Sequence, residues 1–108
     1  MPRETRILKL YQVGQVTIVG FGNEDVLDNV NVADCRDEII GLIREHGTEV
    51  FAFDLTGVKL IPSGLLGLLA SLRELKVRVD IINPSEDIRE VLEITHLDQI
   101  MNIREVER

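Results

Sequence analysis

Two apolar, β-branched runs open the chain: "RILKLYQV" (6–13) and "VTIVGF" (16–21), separated by Gly14-Gln15. Such runs favour strands, and Gly followed by another residue suits a two-residue type II′ turn, so the pair predicts a β-hairpin. The turn-rich, acidic stretch "GNEDVLDNVN" follows, and the apolar spacing then becomes helical. Val32, Cys35, Ile39, Leu42 and Ile43 fall on one face, with Asp34, Arg36, Asp37 and Glu38 mostly off it. Gly47 is placed to end that helix in a left-handed cap. "VFAF" (50–53) is short and uninterruptedly apolar, the pattern of a strand covered on both faces.

After a loop from Asp54 to Pro62 comes a helix carrying Leu65, Leu66, Leu68, Leu69, Leu72 and Leu75. That is too many leucines for a narrow stripe and predicts burial on more than one side, between the sheet and a neighbouring helix. "VRVDII" reads as the next strand. "NPSEDIREVLEITHLDQI" opens a further helix, capped by Ser85 and with Glu86 and Asp87 complementing the positive end of its dipole. "MNIREVE" is expected as a short edge strand. The order is therefore β-β-α-β-α-β-α-β, an α/β fold with a mixed, mostly parallel sheet packed against helices. No repeat, linker or low-complexity tract divides it, and residues 1–108 are expected to form a single domain.

Charge narrows the function classes. Asp and Glu number 19 against 12 Lys and Arg, a net charge of −7. Displacing counterions from phosphates takes a cationic footprint, and no basic run supplies one, so direct nucleic-acid binding is not expected. Anionic membrane surfaces are disfavoured by the same argument. The one cysteine forms no internal disulfide, the N-terminal residues lack the apolar stretch of a signal peptide, and no apolar run is long enough to span a bilayer. A cytoplasmic protein without membrane insertion is expected.

Catalytic and cofactor signatures are missing: there is no phosphate loop and no dinucleotide-binding glycine pattern, and neither an enzyme nor a cofactor is expected. Cys35 reads as a core residue, His46 as a residue favouring the dipole at a helix end, and His96 has no nucleophile to pair with. Ser63 stands apart through its position. It follows a loop leaving the C-terminal end of a central strand, the edge at which open α/β sheets usually meet ligands and partners. From chemistry alone it reads as a helix cap, stabilising by about 1 kcal/mol.

"FDLTGVKLIPSGLLGLLASLREL" (53–75) resembles the signature of the STAS domain, the family of sulfate transporter domains and anti-sigma factor antagonists. There, a strand ending in D-L-S/T-G-V leads through a short loop to D-S-S-G-L-G, which opens a helix. Asp54, Leu55, Thr56, Gly57 and Val58 match the first part, Gly67 falls on the second glycine, and Ser63 falls on the serine that partner kinases phosphorylate in the antagonists. Asp28, in "VLDNVNVADCRDEI", falls on the aspartate of the family's E-L-D loop, and "NPSEDIREVLEITHLDQIMNI" is similar to its closing segment. Pro62 stands where the family has aspartate, Gly64 where it has a second serine, and Leu65 where it has glycine.

The resemblance implies a non-enzymatic regulatory module, an anti-sigma factor antagonist that binds an anti-sigma factor kinase and is released by serine phosphorylation. Transcription would then be controlled indirectly. Ser63 is the implied phosphorylation site, and Asp28, Pro62, Ser63, Gly64, Leu65 and Leu66 the implied partner-binding residues, with Asp28 expected beside Ser63 in space. The alternative within the fold is an unphosphorylated scaffold or accessory subunit of a stress-signalling assembly or lipid-transport complex.

Overall fold

The computed structural model describes residues 9–21 and 31–106. In chain order the elements are β1 (Lys9–Gln12), β2 (Val16–Gly20), α1 (Val32–His46), β3 (Val50–Asp54), α2 (Ser63–Ser71), β4 (Arg78–Ile82), α3 (Glu86–Ile94) and β5 (Asn102–Arg104). Short 3₁₀ turns, Leu72–Leu75 and Leu97–Gln99, follow α2 and α3. This is the α/β order expected from the sequence. The strands form one sheet in the order β1-β2-β3-β4-β5, with β1 antiparallel to β2 and every other neighbouring pair parallel.

Each parallel pair is joined through a helix. Right-handed crossovers that advance strand by strand in one direction set α1, α2 and α3 on the same face of the sheet. Val19, Phe51, Phe53, Val79 and Ile81 supply the strand side of the core, and Cys35, Ile39, Leu65, Leu69, Leu72, Ile88 and Leu92 the helix side. The buried leucines of α2 and its 3₁₀ extension cover a sector of about 160° at about 100° per residue. That width matches a helix that meets α1 while its 3₁₀ extension meets β4.

On the opposite face Val16, Arg78, Asn102 and Arg104 are exposed, yet Ala52 and Asp80 at its centre are buried. Ala52 is paired in register between Ile18 and Asp80. The Asp80 carboxylate accepts from Arg78 Nε at 3.1 Å and Nη2 at 3.2 Å, and from Arg104 Nη1 at 3.5 Å. A lone buried carboxylate would cost several kcal/mol, so the two guanidiniums lying against it are what allow it there. Phe51, Ala52 and Phe53 of the strand read from "VFAF" are thus buried whichever face they point to, and Val50 is half-buried.

The hairpin forms, but with three residues (13–15) between its strands instead of two. Gly14 adopts φ 143°, and the hydroxyls of Thr17 and Thr48 converge on its carbonyl oxygen at 3.1 and 2.8 Å. These side chains, one of them from the far end of α1, override the two-residue turn. A register shift between Leu10 and Gln12 leaves Tyr11 as an extra residue in β1. Its ring lies where a side chain at position 20 would project: a Cβ there would stand 2.6 Å from Tyr11 Cε2 and 3.1 Å from the Asp54 carbonyl oxygen. A larger residue at position 20 would have to displace the Tyr11 ring and press on that carbonyl.

The helix signals at Gly47 and Ser85 hold. Asn31 caps α1 by accepting from Asp34 N–H at 3.0 Å, and Gly47 ends it at φ 61°. Ser85 caps α3, accepting from Ile88 N–H at 3.2 Å. No helix among the described residues is long and apolar enough to cross a membrane.

Candidate functional site

Because β2 to β5 run parallel, their C-terminal ends share one edge, with Gly20, Asp54 and Ile82 in register. The 55–62 loop leaves from this edge and is built by local chemistry. Asp54 Oδ1 accepts from Thr56 N–H at 2.9 Å and from the Thr56 hydroxyl at 2.6 Å. Gly57 takes the left-handed turn position at φ 82°, and Val58 N–H donates to the Leu55 carbonyl at 2.9 Å. Leu55 and Val58 are buried and anchor the loop to the core. Ser85 Oγ donates to the Lys59 carbonyl at 3.0 Å, fastening the loop to the start of α3.

The reading of Ser63 as a helix cap is corrected by the backbone. Pro62 holds the N-cap position at φ −63° and ψ 142°, with no side-chain cap bond, and Ser63 is the first helical residue. A capping oxygen has to reach back from the N-cap to the N–H groups of the first turn, and Ser63 lies one residue too far along. Its hydroxyl is exposed and has no hydrogen-bond partner among the described residues.

Pro62 is half-buried and Gly64 exposed beside it. A Cβ at Gly64 would lie 3.4 Å from Val32 Cγ2, so the first turns of α1 and α2 meet there. Leu65, grouped with these residues in the sequence, is fully buried and belongs to the core. Leu66, 6% exposed, forms part of a surface cleft. Asp28 lies outside the described residues.

That cleft, of about 160 Å³, is lined by Leu60, Ile61, Ser63, Leu66, Asp87, Ile88 and Val91. Leu60 is 53% exposed and Val91 40%, and Ile94, one turn beyond Val91 on α3, is 68% exposed. The sequence reading missed Leu60, Asp87, Val91 and Ile94. A signal existed: α3 carries more apolar positions than the Ile88 and Leu92 stripe it buries. Asp87 is the charged residue lining the cleft, and Glu86, Glu90 and Glu93 are exposed elsewhere on α3.

Cys35 is buried in α1, and its thiol is pushed up to about 12, first by loss of solvent and then by the nearby Glu38 carboxylate. Such a thiol is a poor nucleophile. His46 ends α1, and His96 takes a left-handed turn after α3. Among the described residues no group of three or more His, Cys, Asp or Glu converges as a metal site.

The family profile of the STAS domain matches residues 8–108. The chain belongs to the STAS domain family. Solved structures share this fold. The unphosphorylated form of the anti-sigma factor antagonist SpoIIAA superposes with a TM-score of 0.76 at 18% identity, covering 94% of this chain and 89% of that one. A crystal structure of TM1081 from Thermotoga maritima, a candidate anti-sigma factor antagonist, gives 0.73 at 22% identity, covering 92% and 86%. The phosphorylated form of SpoIIAA from Bacillus gives 0.68 at 19% identity, covering 94% and 92%. Comparison with curated proteins finds no match. At these identities the likeness is one of fold, and the STAS fold accounts for the sheet order and the single layer of helices.

Proposed function

We propose that this STAS domain is an anti-sigma factor antagonist: a non-enzymatic, cytoplasmic protein-binding module that docks an anti-sigma factor kinase and is switched off by phosphorylation of Ser63. One observation carries the reading. An exposed, unbonded serine hydroxyl stands at the first position of α2, on the wall of an apolar cleft. The hydroxyl is free to be modified because Pro62, not Ser63, holds the cap position. A phosphate there adds about −1.5 to −2 charges beside the N–H groups of the first turn of a nine-residue helix, which favour anions. The fold tolerates it.

A docked partner does not. The docking surface comprises Pro62, Ser63, Gly64 and Leu66, extended by Leu60, Val91 and Ile94. Burying an unpaired phosphate against such a surface costs several kcal/mol, enough to abolish micromolar binding. The carboxylate that the family carries just before its serine is replaced by Pro62, and Asp87 from α3 lines the same cleft as Ser63. With Asp87 in the cleft and a net charge of −7, the domain favours a partner with basic residues around its apolar contact, which speeds encounter more than it strengthens the complex.

Pro62 also favours a second reading, an unphosphorylated scaffold or accessory subunit using the same surface. Capture of partners from the native cell, with intact-mass measurement of the bait, separates the two. The antagonist reading requires a kinase among the partners and a bait species heavier by about 80 Da. Transporter or stress-assembly subunits with an unmodified bait support the scaffold.

A further inference from the structure

Asn83 joins three segments that are far apart in the chain. It sits after β4 in the left-handed region, at φ 53°. Its side-chain amide donates to the Thr56 hydroxyl at 2.9 Å and to the Val106 carbonyl at 2.7 Å, while its Oδ1 accepts from Val106 N–H at 2.7 Å. Asn83 N–H also donates to the Arg104 carbonyl at 2.9 Å. Both side-chain N–H groups and the side-chain oxygen are therefore in use.

The direction of these bonds is determined. The Asp54 carboxylate oxygen can only accept, so the Thr56 proton is committed to it and a Thr56 lone pair faces Asn83. The opposite amide orientation would set Oδ1 against the Val106 carbonyl oxygen and leave Val106 N–H facing a donor. A directed chain thus runs from the segment after β5, through Asn83 and Thr56, to Asp54 at the root of the loop that presents Ser63. Arg89 of α3 adds an ion pair to Glu105 in the same segment.

We propose that residues 105–106 form a strap, buckled by Asn83, that holds the Ser63-presenting loop, so that strap and loop open and close together. The coupling does not depend on what docks at Ser63. Linkage is reciprocal, so any ligand that orders the loop also tightens the strap.

Residue-resolved hydrogen exchange on the full chain tests it, with each variant cutting one end and the readout taken at the other. Asn83→Gly keeps the left-handed backbone but removes the buckle. The Thr56 and Val58 amides of the loop are expected to exchange about tenfold faster, from hydrogen bonds of ordinary strength. Thr56→Val cuts the loop end and leaves Asn83 paired with Val106, and the Val106 amide is expected to accelerate severalfold. Protection of Phe51 and Val79 in the central strands should stay unchanged in both variants. Loop amides unmoved by Asn83→Gly, or a Val106 amide unmoved by Thr56→Val, would show separate contacts and overturn the strap. Loss of protection throughout either variant would also overturn it, because Asn83 or Thr56 would then hold the whole fold.

Discussion

The hydroxyl of Ser85 donates to the carbonyl oxygen of Lys59 at 3.0 Å while accepting the N–H of Ile88 at 3.2 Å. One side chain thus caps α3 and fastens the loop leading to Ser63. Ser63 itself makes neither kind of bond. Ser85→Ala is therefore expected to destabilise the fold by about 1–2 kcal/mol, the range for losing a cap and a second hydrogen bond. Ser63→Ala should stay within about 0.5 kcal/mol, as surface changes away from special features do. Urea unfolding of the two variants checks the ordering, and a larger loss at Ser63 would restore its role as a cap.

Burial of Cys35 gives a pH signature. Its thiol is pushed up from 9.0 to about 12 in the fold, so the folded state holds the proton more tightly than the unfolded state. The stability this provides is fully present below about pH 9 and is lost as pH rises towards about 12. Wild type should lose stability over that window more steeply than Cys35→Ala in urea titrations. The thiol should also react with a disulfide reagent at neutral pH only as fast as the protein unfolds.

Local signals carried most of the fold into the sequence. Gly47 and Ser85 were legible because a left-handed C-cap and a serine N-cap are decided within a few residues. The β-β-α-β-α-β-α-β order followed from apolar spacing and from "VFAF" and "VRVDII", whose length and composition leave little choice. What was not legible depends on segments meeting across the chain. The hairpin loop is set by Thr48, the shift in β1 by Tyr11 against Gly20, and the loop anchor by Asn83 from beyond β4. The cap at Ser63 was misplaced by one residue. The end of the 55–62 loop is set by the burial of Leu55 and Val58 and by the Ser85 bond to Lys59, none of which the local pattern around Pro62 reports. Leu65 is implied in partner binding only by its motif position, while its helical spacing already sets it among the core leucines where it is buried.

The cleft makes a prediction that the motif alone does not. Val91 is 40% exposed on α3 and shares the cleft with Ser63 and Leu66. Val91→Glu should leave unfolding free energy within about 0.5 kcal/mol, as an exposed change to a good helix former. It should weaken partner binding at least tenfold, which calorimetric titration of the captured partner would register. Undiminished binding would confine the docking surface to the Ser63 loop.

Ser63→Asp bears most directly on the account. Asp at the first position of α2 favours the helix dipole, so thermal unfolding should move by no more than the equivalent of about 1 kcal/mol. Titrating the captured partner into wild type and into Ser63→Asp, at one ionic strength and with both proteins folded, gives the decisive comparison. A negative charge at the docking surface is expected to weaken binding at least tenfold, and equal affinity for the two proteins would contradict a switch at Ser63.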